Sequence, residues 1–240
     1  IGKAKVSSGV SGKGSSEEAL RRARFDFLFS VADKIKADKI ALGHNRDDQA
    51  ETVLMRIIRG SGLSGLAAML PKRQIDGHIV IRPLIGICRR DIEKFLKARN
   101  VKPRRDSSNL DEAYFRNRIR NKLLPELEKY NPNIKEVLAN LAESVGLDYD
   151  YMRSQSWKSF DSLRNCQGKQ GIKIPLEKLL RQHPAIQNMV LRFAFETLKG
   201  DTRRLAYQHI KEIRDLMDSR PYGSVVDLPS NISVKRIKPD

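Results

Sequence analysis

Residues 39–52 read Lys-Ile-Ala-Leu-Gly-His-Asn-Arg-Asp-Asp-Gln-Ala-Glu-Thr, and this stretch decides the fold. Its first four residues are typical of a short buried strand, and the apolar spacing that continues to Ile58 is typical of a helix. Open α/β sheets bind their ligands where a strand passes into a helix in this way. The sequence therefore predicts a ligand-binding edge that carries one imidazole and three carboxylates, namely His44, Asp47, Asp48 and Glu51.

The spacing of the acidic residues leaves two interpretations open. Asp48, Glu51 and Thr52 stand at i, i+3 and i+4, so they share one face of the predicted helix. Such a cluster can bind a cation, either a metal ion on nucleotide phosphates or an ammonium group. It is also what an ordinary helix start looks like, because the helix dipole stabilises carboxylates in the first turn.

The overall charge favours a polyanionic partner. The 240 residues include 46 Lys+Arg against 29 Asp+Glu, a formal charge of +17, which indicates nucleic acid ahead of a membrane surface. No apolar run is long enough to cross a bilayer and no secretion signal pattern begins the sequence, so we expect a cytoplasmic protein. Cys88 and Cys166 lack paired spacing, which argues against zinc and iron–sulfur sites and favours buried thiols.

The region before the decisive stretch resembles a phosphate loop only at first sight. Residues 7–16 are rich in glycine and serine, but Lys13 is followed by Gly14 where a Walker loop requires Ser or Thr. We expect a flexible loop there, followed by a capping box at Ser15 and Glu18. The helix that follows is predicted to bury an apolar stripe made of Leu20, Phe27, Leu28, Val31 and Ile35.

The region after it alternates between strand and helix patterns. A glycine-rich segment spans 59–66, residues 79–81 are typical of a buried strand, and residues 90–98 of an amphipathic helix. This alternation predicts a parallel sheet. Helix-capping side chains at 106–109 then precede a basic helix over 114–122.

That basic helix carries four cations in seven residues, beside two aromatic residues. The pattern suits contacts with phosphates and bases, and it also fits a solvated basic helix. The four cations are Arg116, Arg118, Arg120 and Lys122.

The second half of the chain has a helical texture. Residues 125–132 are interpreted as a break and a hinge, so we place a domain boundary between residues 130 and 131. His183 and His209 are isolated, which indicates structural histidines. Helices are predicted over 134–152 or beyond, 176–180, 185–198 and 203–219, and a hairpin over 223–237.

Five short motifs follow one another along the chain: Gly43-His44-x-x-Asp47-Asp48-x-x-Glu51-Thr52, Arg59-Gly60-Ser61-Gly62-Leu63-x-Gly65-Leu66, Arg82-Pro83-Leu84, Ser108-Asn109 and Arg116-Asn117-x-x-Arg120. In this order they resemble the bacterial tRNA(Ile)-lysidine synthetases, which belong to the PP-loop ATP pyrophosphatases. The resemblance is strong over residues 15–130. It implies an α/β fold: a Rossmann-like PP-loop domain with a parallel sheet over residues 1–130, then a smaller, mostly helical tRNA-binding domain over 131–240.

The resemblance also implies a reaction. ATP, with Mg²⁺, adenylates the C2 oxygen of the wobble cytidine in the CAU anticodon of an isoleucine tRNA and releases pyrophosphate. The ε-amine of free L-lysine then attacks C2 and expels AMP. Family members are often homodimers, so a homodimer is among the expectations.

By the same resemblance, the marked residues have separate roles. Asp48 and Glu51 are expected to hold and orient the lysine, whereas His44 and Asp47 belong near ATP and its metal. Arg24 and Arg116 are expected near the adenylated base. The basic helix is expected to contact the tRNA backbone. No residue is assigned as a metal ligand. The tRNA-binding set is Arg116, Arg118, Arg120 and Lys122.

One family motif is missing, which keeps two other functions open. The phosphate loop Ser-Gly-Gly-x-Asp-Ser and the strand before it do not occur, so we expect a fragment that begins inside the domain and lacks its N-terminal strands. A PP-loop tRNA thiolase would use the same adenylation, but the two cysteines do not form the expected pair. A non-catalytic tRNA-binding module would explain the charge without turnover, although the acidic cluster favours a substrate pocket.

Overall fold

The computed structural model describes residues 13–104, 111–166, 171–202 and 204–238. It divides into two compact units, Ile1–Tyr149 and Asp150–Asp240. The division falls inside a continuous helix, whereas the sequence places its boundary before that helix, between residues 130 and 131.

Helix α1 spans Lys13–Ile35, so the loop predicted up to residue 16 is wrong for its last four residues; residues 7–12 lie outside the described part. The predicted apolar stripe is also wrong for Leu20, Val31 and Ile35, which are exposed, whereas Leu28 does pack against the core. Phe25, Phe29 and Ala32 are buried at i, i+4 and i+7, while Ile35 is 67% exposed. Phe25 and Phe29 pack with Ile40 and Val80 of the sheet, so the buried face is set by the strands below the helix.

The sheet of the first unit has three strands, β1 (Ile40–Ala41), β2 (Lys72–Ile75) and β3 (His78–Ile81), in the order β1-β3-β2. β1 and β3 are parallel, as predicted. β2 was not predicted and runs antiparallel to β3. The two strands are joined by Asp76 and Gly77 at φ values of 47° and 85°. An Asp-Gly pair at positive φ is a strong hairpin signal, and sequence reasoning overlooked it.

Helix α2 spans Arg46–Ile58 and α4 spans Arg89–Ala98, as the sequence predicts within one residue. The short helix α3 (Leu63–Leu66) lies in the glycine-rich segment. An added Cβ at Gly65 would lie 2.4 Å from Cβ of Ser61, so the chain can turn this closely only with glycine there. Helix α2 buries Ala50 and Val53 in a core that also contains Ile119, Leu124, Leu138 and Ala142.

The basic helix consists of three consecutive pieces. α5 spans Phe115–Arg118, a π-helical segment spans Ile119–Leu123, and α6 spans Leu124–Tyr130. The predicted break at Pro125 is wrong, because the chain stays helical through this proline, the second residue of α6, which continues directly from the π-helical segment. The predicted cap at 106–109 lies outside the described residues.

Helix α7 spans Ile134–Leu163, and the rest of the second unit is small and mostly helical. The predicted helices and the C-terminal hairpin are confirmed; α7 continues eleven residues beyond residue 152, and the other ends are shifted by a few residues. His183 Nδ1 accepts the Ala185 N–H and His209 Nδ1 accepts the Ala206 N–H, so both are local helix caps. The elements are β4 (Asn165–Cys166), β5 (Ile172–Lys173), α8 (Leu176–Leu180), α9 (Pro184–Lys199), α10 (Tyr207–Asp218), β6 (Val225–Leu228) and β7 (Ile232–Lys235).

Candidate active site

The candidate site lies at the carboxyl edge of β1 and β3. Because these strands are parallel and the Leu42 N–H donates to the Ile81 carbonyl at 2.9 Å, the residues that follow both strands emerge at one edge. His44 follows β1 and Arg82 follows β3. An added Cβ at Gly43 would meet nothing within 4 Å, so the backbone between β1 and α2 borders open space.

The start of α2 is fixed by a capping box. The Asn45 side chain accepts the Asp48 N–H, and the Asp48 Oδ2 accepts the Asn45 N–H, both at 3.0 Å. A reciprocal cap of this kind holds the first turn and the orientation of the Asp48 carboxylate. One oxygen of Asp48 is therefore engaged by its own helix, and the other points away from it.

The acidic face of α2 meets two arginines of the basic helix. Arg116 donates from Nε to Glu51 Oε2 at 2.7 Å and from Nη2 to Asp48 Oδ1 at 2.8 Å. Arg120 donates to Glu51 Oε1 at 2.5 Å, to Glu51 Oε2 at 3.0 Å and to Asp48 Oδ1 at 3.2 Å. These four residues, called here the charge cluster, join sequence positions more than 60 residues apart.

The charge cluster is shielded from water to different degrees. Glu51 is 1% exposed, while the side chains of Arg116 and Arg120 are 29% and 24% exposed. Burial lowers the pKa of Arg120, but the hydrogen bond and charge of Glu51, together with the charge of Asp48, outweigh it and leave that pKa raised. Arg120 is therefore permanently charged, and the buried carboxylate has strong counter-charges.

His44 lies in a cationic environment. Burial lowers its pKa from 6.5 to about 4; the charge of Asp48 acts in the opposite direction, and the charges of Arg82, Arg116 and Arg24 lower it further. The imidazole is neutral at pH 7, and its Nδ1 is buried without a hydrogen-bond partner. A neutral ring with a free nitrogen can hydrogen-bond a ligand without adding charge.

Asp47 and Arg46 attach the head of α2 to its neighbours. The Asp47 Oδ2 accepts the Arg89 N–H at 2.7 Å, which caps α4, and Oδ1 lies 3.4 Å from Lys135 Nζ. Arg46 donates twice to the Gly86 carbonyl. Asp47 thus faces α4 and α7 in this structure, away from the charge cluster.

Three supporting residues escaped sequence reasoning. Gln49 exchanges two hydrogen bonds with the Met69 backbone, at 3.1 and 3.0 Å, and Arg82 donates to the Leu70 carbonyl at 2.7 Å. Together they hold the turn after α3 against the site. The third is Lys135, whose contact with Asp47 could not be inferred, since 88 positions separate the two residues and no motif links them.

Comparison with known proteins identifies both units. Residues 3–127 match the family model of the PP-loop domain, which is more than half of the chain. The chain belongs to the PP-loop family. Residues 174–236 match the TilS substrate binding domain, so a PP-loop domain is followed by the second domain typical of the lysidine synthases.

Several curated relatives of this PP-loop protein align with most of its length. The tRNA(Ile)-lysidine synthases of Clostridioides difficile and Caldanaerobacter subterraneus are 38% and 36% identical over 93% of this chain. The aligned parts are 48% and 47% of those proteins, so the chain spans about half the length of the relatives it matches. A solved structure, the U34-tRNA thiolase NcsA from Methanococcus maripaludis, is 25% identical and aligns with a TM-score of 0.44 over 57% of this chain and 44% of its own.

The four cations of the basic helix in this PP-loop domain divide between two faces. Arg116 and Arg120, at i and i+4, turn inward to the charge cluster, whereas Arg118 and Lys122, also at i and i+4, are exposed. Arg118 lies 5.4 Å from the ring centre of Phe115, and Lys122 pairs with Glu112 at 2.5 Å. The structure thus separates residues that the sequence grouped into one tRNA-binding set.

The remaining predicted site residues are placed as follows. Arg24 is exposed on α1, near enough to His44 for its charge to affect that imidazole. Cys88 is half-buried and donates to Asp91, while the side chain of Cys166 lies outside the described part. Over the described ranges, no helix is both long and apolar enough to cross a membrane.

Proposed function

We propose that this chain carries the catalytic part of a tRNA(Ile)-lysidine synthase, which joins free L-lysine to C2 of the wobble cytidine in the CAU anticodon at the expense of ATP. The observation that carries the proposal is the pair of carboxylates, buried Glu51 and partly buried Asp48, at the carboxyl edge of two parallel strands. It occurs in a chain whose family matches are a PP-loop domain and a TilS substrate binding domain.

In the first step, the C2 oxygen of cytidine attacks the α-phosphorus of ATP. An oxygen–phosphorus bond forms and pyrophosphate leaves with the electrons of the broken bond. Negative charge moves onto phosphate oxygens, which guanidinium groups stabilise well. Arg24 and Arg116 are the residues proposed for this role. Neutral His44 offers its unpaired Nδ1 as a hydrogen-bonding atom.

In the second step, the lysine ammonium loses a proton to a carboxylate, and the ε-nitrogen attacks C2. The carbon–nitrogen bond forms as the C2–oxygen bond breaks, and AMP leaves with that oxygen. Asp48 and Glu51 are proposed to orient the ammonium and to accept its proton. Their place on one face of α2 puts both carboxylates beside the same small volume.

Mg²⁺ is the expected companion of ATP, but the described residues do not fit a metal site. Among them, no group of three His, Cys, Asp or Glu side chains could hold an ion. Asp47, expected near the metal, is engaged by Lys135 and by the N–H of Arg89. We therefore derive no step from a protein-held metal.

The proposed partners follow from the same assignment. Arg118 and Lys122 offer exposed positive charge to the tRNA backbone, and the second unit supplies further tRNA contacts. We further propose a homodimer and a cytoplasmic location, which sedimentation and cell fractionation would test.

The test is incorporation of radiolabelled lysine into a CAU-anticodon isoleucine tRNA transcript, in the longest form of the protein that carries this chain. We expect Asp48→Asn to lower the rate at least about 100-fold, as loss of a proton acceptor does, while tRNA binding persists. Arg116→Ala should slow adenylation, measured as pyrophosphate release. Asp33→Asn, a change of an exposed carboxylate in the same unit, should have no effect.

The other outcomes are equally informative. Unchanged turnover in Asp48→Asn would remove the assignment of that carboxylate. A protein that binds the transcript but never incorporates lysine would favour the non-catalytic module, and sulfur transfer in its place would favour the thiolase.

A further inference from the structure

Every carboxylate oxygen of the charge cluster is engaged within the protein. Glu51 Oε1 accepts from Arg120, Glu51 Oε2 from both arginines, Asp48 Oδ1 from both arginines and Asp48 Oδ2 from the Asn45 N–H. A lysine ammonium needs at least one of these oxygens. It therefore has to compete with guanidinium groups that already satisfy them.

The charges of the cluster also balance. Two carboxylates face two guanidinium groups, and the arginine charges persist at all ordinary pH values. An ammonium that enters next to Glu51, which is 1% exposed, would bring an uncompensated positive charge into a desolvated site. We therefore expect an anion to bind to the cluster first, because its charge offsets that of the arginines, and a cation such as the lysine ammonium to bind second.

Given the proposed function, we infer that Arg116 and Arg120 control the order of substrate binding: they cover the lysine site until phosphate groups of the tRNA or its adenylate draw a guanidinium away from Asp48 and Glu51. The two arginines are thus counter-ions in the free protein and phosphate ligands in the complex.

The contacts and exposure of the two sides of the cluster suit this exchange. The carboxylates are fixed, since Asp48 is part of a capping box and Glu51 is buried in α2. The arginine side chains are about a quarter exposed and reach in from the basic helix. That helix contains the π-helical segment, a type of irregularity frequent at functional sites.

The same helix carries the cations that would bring phosphates close. Arg118 and Lys122 are exposed on its outer face, two positions from Arg116 and Arg120 respectively. RNA bound there places negative charge beside the arginines that cover the lysine site. Since coupling between two ligands is reciprocal, lysine should strengthen tRNA binding by the same factor, within the usual range of about 5- to 150-fold.

The experiment is equilibrium dialysis of radiolabelled lysine against the protein, alone and with saturating CAU transcript plus an ATP analogue that carries a methylene group between the α- and β-phosphates. We expect lysine to bind at least about tenfold more tightly in the presence of the transcript. In Arg120→Gln, lysine should bind more tightly to the free protein and the transcript should add little. Arg120→Lys, which keeps the charge, should retain most of the coupling.

Arg118→Gln is the matched control, because it removes an exposed cation from the same helix. It should weaken tRNA binding and lower its salt dependence, yet leave lysine coupling intact at saturating transcript. If Arg120→Gln does not fold, as judged by circular dichroism, Arg116→Gln makes the same test.

Equal lysine affinity with and without transcript in the unaltered protein would overturn the inference, even if lysine is incorporated normally. Absence of both lysine binding and incorporation under every condition would instead contradict the proposed function. The two failures are therefore distinguishable.

Discussion

The two edges of the small sheet shift the pKa of a histidine in opposite directions. At the carboxyl edge, burial and the charges of Arg82, Arg116 and Arg24 lower the pKa of His44 to about 4. At the amino end of β3, His78 pairs with Asp33 through Nε2 at 2.9 Å, and this hydrogen bond raises its pKa. The same side chain is held neutral at one edge and favoured as a cation at the other.

The difference shows where the fold has concentrated desolvated charge. Asp33 is 72% exposed, so water and salt can replace the His78 pair at little cost. Glu51 is 1% exposed and pairs with both Arg116 and Arg120. The carboxyl edge therefore carries electrostatic interactions that a ligand can use, whereas the amino edge carries a surface pair.

The largest contrast should appear when a carboxylate is neutralised at each edge. We expect Glu51→Gln to lower the free energy of unfolding by about 3 kcal/mol, because it leaves two largely buried guanidinium groups with Asp48 as their one remaining counter-charge in the cluster. Asp33→Asn should leave the urea midpoint unchanged at pH 7. Urea unfolding of both variants measures this. A Glu51→Gln protein as stable as the unaltered chain would show that the cluster is hydrated in solution.

A smaller effect should appear in the pH dependence of stability. The unfolded chain protonates His44 below pH 6.5 and the folded chain only near pH 4, so the unfolded state binds more protons between these values. Stability is therefore lost as pH falls from 6.5 to 4. At about 1.4 kcal/mol per pKa unit, reduced by partial solvation, His44 should account for about 2 kcal/mol of that loss.

His44→Gln isolates this contribution, since both proteins share every other titrating group. Urea unfolding of the two proteins at several pH values between 4 and 7 should give curves that diverge toward neutral pH in favour of the unaltered chain. Parallel curves would mean that His44 titrates normally and that the cationic environment does not reach it.

The carboxyl edge also shows which parts of the site could be predicted from the sequence and which could not. The strand–helix junction at residues 39–52 was readable because short-range periodicity fixes both elements. The positions of Asp48 and Glu51 on one helical face followed from the same periodicity. Their pairing with Arg116 and Arg120 could not be predicted from periodicity, because it depends on the packing of helices that are distant in sequence.

The errors have similar causes. The stripe predicted for α1 was wrong because the apolar residues of this helix fit more than one helical face. Packing against the strands decides that Phe25 and Phe29 lie on the buried face. Pro125 was interpreted as a break because an interior proline removes a helical hydrogen bond, but the chain stays helical through it, directly after the π-helical segment. β2 was missed because Lys72–Ile75 has no apolar alternation and its signal lay in the turn that follows it.

The smallest effect should be seen at His78 itself. Its Nε2 faces the Asp33 carboxylate and its Nδ1 faces the Asp76 carbonyl at 3.1 Å, so both ring nitrogens meet acceptors and only the protonated ring can donate to both. The stabilisation from this pair is present below pH 6.5 and is lost as pH rises through the higher folded pKa.

An NMR titration should place the pKa of His78 above 6.5, and Asp33→Asn should bring it down toward the ordinary value. The ring also stacks on Phe29 with centroids 4.5 Å apart, and this contact should persist when the carboxylate is removed. If the pKa of His78 stays high in Asp33→Asn, the Asp76 carbonyl and the surrounding charges raise it more than Asp33 does. The electrostatic difference between the two edges would then be smaller than their side-chain contacts imply.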